Sequence, residues 1–175
     1  MKAKNAIVSV VMGSDTDLPV MLQCLKALER FGLPAEVLIS SAHRLPEETA
    51  TFAKNAAGRG IKVIVAGAGW AAHLAGMIAA FTPLPVIAVP LSGSALNGVD
   101  ALYATVQMPK GVPVATVAVD GAYNAGVLAA QIIGVGDPSI REKVQQYKLE
   151  LAEQVRDKNF ELQKLGYEAY LQSKK

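Results

Sequence analysis

Three observations predict a three-layer α/β/α sandwich on a parallel sheet, with a long C-terminal helix. Five short apolar runs carry almost no charge, as strands buried on both faces do. Helix-like segments alternate with them along the chain. A charge-dense tail then breaks the pattern, with fifteen charged residues between Asp137 and Lys175.

Asn5 to Met12 is a β-branched run without charge and suits a buried strand. Gly13-Ser14-Asp15 breaks it, and Asp15, Thr16 or Asp17 can cap the helix that follows. Leu18, Met21, Leu22, Leu25 and Leu28 recur at helical spacing up to Gly32, a C-terminal stop. Pro34 to Ile39 is the second strand. Pro46 suits a first helical turn, and Glu47 and Glu48 favour that end of the dipole. This helix stops at Gly58-Arg59-Gly60. Ile61 to Ala66 is the third strand, and a small-residue helix spans Trp70 to Phe81. Val86 to Val89 is the fourth strand, and a helix covers Ala95 to Gln107. Val112 to Val119 is the fifth strand, and Asn124 to Ile133 an Ala-rich helix. Asp137 or Ser139 caps a final helix reaching about Tyr170. No strand is left for that helix to cover, so it is expected to reach a neighbouring subunit.

The totals narrow the function classes. At 175 residues one domain is expected. Hydrophobic residues make up 51% of the chain, and mean hydropathy is +0.29. Glycines and prolines interrupt every long apolar stretch, so no membrane span is expected. No cleavable signal is expected either, which fits a cytoplasmic protein. Net charge is +2 without a basic cluster, which argues against nucleic acid. Cys24 stands alone, so neither an intrachain disulfide nor a Cys-rich metal site forms; it reads as a core thiol. Between Val63 and Gly136 the charged residues are Asp100, Lys110 and Asp120 alone. That is too little polarity to coat one layer of a monomer, so a homo-oligomer is expected.

Three strand-end turns carry the chemistry, where open α/β sheets place their ligands. Gly13-Ser14-Asp15-Thr16-Asp17 offers hydroxyls and backbone N–H groups at a helix start. It reads equally as an anion site or as a capping turn. It lacks the Gly-Lys-Ser/Thr ending of a nucleotide-binding P-loop, and one aspartate suits sugar hydroxyls. Ser40-Ser41-Ala42-His43-Arg44 combines a general acid/base with a cation suited to phosphate or carboxylate. In the bland reading, Ser40 or Ser41 simply caps the next helix. Gly67-Ala68-Gly69-Trp70-Ala71-Ala72 matches a dinucleotide fingerprint formally, but it follows the third strand and no acid lies at 86–96. A nicotinamide cofactor is therefore discounted. His73 is either a second functional histidine or a buried, satisfied one, and the residues favour the second. The sequence shows no zinc ligand set, no Gly-x-Ser-x-Gly elbow, and no aspartate ending the third strand as a phospho-receiver would need.

Taken together, the turns are specific. Met-Gly-Ser-x-x-Asp at 12–17, Ser-Ala-His-Arg at 41–44 and Ala-Gly-Ala-Gly-x-Ala-Ala-His-Leu at 66–74 resemble the class I PurE family of N5-carboxyaminoimidazole ribonucleotide mutases. Thr82-Pro83-Leu84-Pro85-Val86, Val106-Gln107-Met108-Pro109 and Gly111-Val112-Pro113-Val114-Ala115-Thr116 extend the resemblance, which covers about residues 5 to 134. It implies a flavodoxin-like sheet and a homo-octamer, without metal or organic cofactor. It implies an α/β catalytic domain at 1–136, with 137–175 as its helical extension. The implied reaction moves a carboxylate from the exocyclic nitrogen to C4 of aminoimidazole ribonucleotide through trapped CO2. His43 would handle the proton. Ser14, Asp17 and Arg44 would hold the ribose phosphate, with Thr16 in support and Ser41 and Ala42 in the same substrate site. Ala68, Gly69, Ala71, Ala72, His73 and Leu74 would wall the carboxylate and CO2 pocket. Trp70 stands where the family pattern has glycine, and Ala75 where it has proline. Class II carboxylases, which use CO2 directly, show Ser-Ala-His-Lys and Ala-Gly-Arg-Ser-Asn, and this chain departs from both.

Overall fold

The computed structural model describes residues 5–174. Five parallel strands form one sheet: β1 (Val8–Met12), β2 (Ala35–Ile39), β3 (Val63–Ala68), β4 (Val86–Pro90) and β5 (Ala115–Thr116). Their order is β2-β1-β3-β4-β5, so the chain winds outward one way, then the other. This is the flavodoxin-like order, and its reversal lies between β1 and β3. There Val8 pairs with Val63, and Met12 with Gly67.

The helices are α1 (Leu18–Phe31), α2 (Pro46–Ala56), α3 (Leu74–Phe81), α4 (Val99–Val106), α5 (Ala122–Gly134), α6 (Pro138–Leu165) and α7 (Tyr167–Ser173). Side-chain alternation along the strands builds two cores. Val8, Val10, Met12, Val63, Val65, Ile87 and Val89 meet α1, α5 and the start of α6. Val11, Ile64, Ala66, Val86 and Ala88 meet α2 and α3 on the other face. The first layer is close-packed. A Cβ on Gly126 of α5 would lie 2.7 Å from both Ala27 Cβ and the Cys24 carbonyl of α1. Cys24 is fully buried, and burial pushes its thiol up to about 12.

Four of the boundaries that differ from expectation have a backbone reason. α3 starts at Leu74 rather than Trp70, because Trp70 is left-handed (φ 56°) and the Ala72 N–H closes a turn on the Gly69 carbonyl at 3.0 Å. α4 starts at Val99 rather than Ala95, because Asn97 and Gly98 are also left-handed. β5 pairs in register over two residues only. Pro113 precedes it, and the chain then follows β4 through single bonds, Val117 N–H to Ala88 and Asp120 N–H to Pro90. The tail helix is broken at Gly166 (φ 77°), which separates α6 from α7.

α6 begins as expected, with the Asp137 carboxylate accepting from the Ser139 N–H at 3.0 Å. Those hydrogen bonds, the Ser139 hydroxyl first, hold the Asp137 carboxyl below its usual range. Only its first turns are buried, at Ile140 and Val144. Lys143 donates to the Phe31 carbonyl at 3.0 Å, and Arg30 bonds Glu150 and lies over the Tyr147 ring, tying α6 to α1. Beyond these contacts Leu149, Val155, Phe160 and Tyr167 stand exposed. No helix among the described residues is long and apolar enough to cross a membrane.

Candidate active site

The ends of β1, β2 and β3 open into a cleft of about 470 Å³ at the sheet's reversal point. The turns after those strands form its walls. Every residue the sequence assigned to the site lies there: Ser14, Thr16 and Asp17; Ser41, Ala42, His43 and Arg44; Ala68, Gly69, Ala71, Ala72, His73 and Leu74. Gly13 and Trp70 complete the lining. Neither was assigned a role from sequence, though each is the direct neighbour of an assigned residue.

The first wall is a single turn of 3₁₀ helix, Asp15–Asp17. Its cap is Ser14, whose hydroxyl accepts from the Thr16 N–H at 3.3 Å. Asp17 reaches back to accept from the Ser14 N–H at 3.0 Å, closing a capping box. The turn is a capping turn, and it also lines the cleft. Burial holds the Asp17 carboxyl above its usual range, against the Ser14 and Gly13 N–H groups that pull it down.

The second wall is held from below. The Ser40 N–H donates to the Met12 carbonyl at 2.8 Å, and the Ser40 hydroxyl lies 2.7 Å from that of Thr49. Neither serine caps α2, which starts after Leu45 without a side-chain cap. Ser41 instead faces the cleft, and its carbonyl accepts from the Leu45 N–H at 2.8 Å. Arg44 is exposed and makes two long contacts, to the Ser41 hydroxyl at 3.3 Å and the Gly13 carbonyl at 3.2 Å. Among the described residues it has no carboxylate partner. Its planar fork therefore remains available to an anion.

The third wall is small-residue backbone. A Cβ on Gly69 would come within 3.2 Å of the Leu91 carbonyl, so this turn lies hard against the loop after β4. His73 corrects the sequence reading that favoured a buried, satisfied ring. It is exposed at the N-cap of α3, with Nδ1 3.3 Å from Nε2 of His43. The ring centroids are 5.3 Å apart. Thirty positions separate the two histidines in sequence, and no local pattern links them. In a hydrogen bond across this contact one ring donates and the other accepts, which couples the two rings at the mouth of the cleft.

The family model described as AIR carboxylase matches residues 7–154. The chain is 53% identical over 171 residues to an N5-carboxyaminoimidazole ribonucleotide mutase of Synechocystis, covering 98% of this chain and 97% of that one. It is 54% identical over 167 residues to the protein of the same name from Thermotoga maritima, covering 95% and 98%. A phosphoribosylaminoimidazole carboxylase of Saccharomyces cerevisiae is 53% identical over 96% of this chain, which spans 29% of that protein. The crystal structure of Treponema denticola PurE superposes with a TM-score of 0.82 at 28% identity, covering 89% of this chain and 97% of that one. On these matches, the chain belongs to the AIR carboxylase family.

Proposed function

We propose that this protein is a mutase that converts N5-carboxyaminoimidazole ribonucleotide to 4-carboxy-5-aminoimidazole ribonucleotide, a step of purine biosynthesis. The observation that carries the reading is the convergence of three separate turns on one cleft, with a histidine pair and an arginine without a carboxylate partner. Near-full-length identity to proteins of that name supports it.

In this reading Arg44 and the Ser14 turn hold the phosphate, and Thr16 supports that turn. Asp17 accepts from ribose hydroxyls. Ser41 and Ala42 shape the floor beneath the ring. His43 delivers a proton to the exocyclic nitrogen as its bond to the carboxylate carbon breaks. The bonding pair stays on nitrogen, and CO2 is released. C4 then attacks CO2, and His43 takes the C4 proton, so the proton balance closes. His73 contacts His43 and orients its ring. The small residues Ala68, Gly69, Ala71 and Ala72, with Leu74, give a tight apolar wall that keeps CO2 beside C4. No protein nucleophile is required.

On the single chain the mouth of this cleft is open, since His43, Arg44, Trp70, Ala71 and His73 are exposed. Retaining CO2 requires closure by bound substrate and by a neighbouring copy. The exposed apolar residues of the low-charge segment, such as Leu96, Tyr103 and Val135, suit such an assembly. A homo-octamer in the cytoplasm is the assembly and location this reading carries.

The test compares two substrates on the purified protein. Rapid conversion of N5-carboxyaminoimidazole ribonucleotide, with little use of aminoimidazole ribonucleotide plus bicarbonate, is expected. Efficient use of the second pair replaces the mutase with a direct carboxylase. Conversion of neither reduces the site to sugar-phosphate binding.

A further inference from the structure

We propose that Trp70 is a substrate-positioning residue, whose indole stacks on the aminoimidazole ring. The proposal rests on the mutase reading and adds a contact to it. Trp70 is the sole tryptophan of the chain. Its backbone is left-handed, with φ at 56°, a conformation that glycine adopts freely and a bulky residue does not. Large side chains kept in such positions mark sites where local preference has been set aside. The residue is 66% exposed, yet it lines the cleft wall that carries His73. Among the described residues no ring or cation packs on it.

The backbone that carries the indole is held on both sides. Gly69 abuts the Leu91 carbonyl, and the Ala72 N–H is bonded to the Gly69 carbonyl. The flanking residues Ala68, Gly69, Ala71 and Ala72 have almost no side chain, so beside His73 and Leu74 the indole is the broadest surface on that wall. The wall also lacks a charged group between Ala68 and Ala72, whereas the phosphate-suited groups sit on the other two turns. A flat, uncharged heteroaromatic ring is the part of a ribonucleotide that matches an exposed indole face.

The experiment uses the intact wild-type protein and the emission of its single tryptophan, with 5-aminoimidazole ribonucleotide as the probe. Calorimetry measures binding independently. The expected result is a ligand-dependent change in emission and loss of acrylamide quenching, with the midpoint of the calorimetric curve. Trp70→Gly suits the left-handed backbone and is expected to keep the thermal midpoint. It should weaken ribonucleotide binding about ten-fold, equivalent to about 1.4 kcal/mol. Trp70→Phe should recover most of that loss. Binding heat without a change in emission overturns the proposal. So does a tryptophan already shielded from acrylamide in the free protein, which would place it beneath a second copy. Equal affinity of Trp70→Gly and wild type also overturns it. Absence of any ribonucleotide binding heat defeats the mutase reading itself, and the proposal with it.

Discussion

β1 and β2 carry a polar cluster near each end, and the two clusters are built from similar groups. At the N-terminal end, Ser9 and Glu36 are register partners, and the Ser9 hydroxyl donates to the Glu36 carboxylate. Arg59 closes on that carboxylate with two bonds, at 2.9 and 2.7 Å. Ser9 and Glu36 are buried, at 0% and 5% exposure. At the C-terminal end, about 10 Å further along the strands, Ser41, Arg44 and His43 face an open cleft with long or shared contacts. Both ends hold an arginine and a serine. The first end satisfies its charges within the chain, and the second leaves Arg44 without a carboxylate partner among the described residues. Satisfaction, rather than composition, separates structural polarity from a site built for something outside the chain.

The contrast predicts separable losses. The largest belongs to His43→Asn, which should lower kcat about 10³-fold with the thermal midpoint unmoved and the ribonucleotide still bound. A residual rate near wild type would move the proton chemistry to His73. Next is Arg44→Ala. Loss of a charge-assisted contact to phosphate should weaken substrate binding about 30-fold, at about 2 kcal/mol, again without a change in stability. Should stability fall instead, the two clusters would no longer be distinct.

Arg59→Ala should give the reverse pattern. It removes two charge-assisted hydrogen bonds from a buried carboxylate and loses the stack on Phe52, at 5.3 Å. Unfolding free energy should drop by about 2 kcal/mol, with kcat of the folded protein intact. A chemical denaturation curve beside a turnover assay reads both numbers. The smallest effect is expected from Asp137→Ala, outside both clusters. The Asp137 carboxyl is held below its usual range in the folded protein. Its stabilising effect is therefore full above the unfolded value and lost as pH falls through the folded one. The variant should melt slightly earlier than wild type at pH 7 and together with it in strong acid. A constant offset at every pH would assign the effect to helix propensity rather than to the cap.

Much of the fold was legible because burial leaves a periodic signature. β1 and β4 are buried throughout and β3 at every residue but Ala68, and each appears in the sequence as a short apolar run rich in β-branched residues. β5 was harder, because an edge strand paired over two residues imposes little pattern on the eight residues from Val112 to Val119. The helix start at Trp70 failed because a left-handed tryptophan carries no mark in sequence, and the start at Ala95 failed because the turn signal Asn97-Gly98 was passed over. The Glu36 cluster went unread for a related reason. A buried glutamate on an otherwise apolar strand is recognisable only when its partner Arg59, 23 positions away, is seen beside it.

By itself the sequence determined the alternation of strand and helix, the three polar turns and their place at strand ends. Local spacing encodes these, since side-chain period and turn chemistry act over a few residues. Tertiary structure alone decided that the turns share one cleft, and that His43 and His73 lie within hydrogen-bond reach. The same holds for two arginines of like chemistry, one paired with Glu36 and one left facing the cleft. The strand order β2-β1-β3 brings the three turns together. That order follows from how two apolar faces are covered, a property of the whole sheet that no single stretch of chain contains.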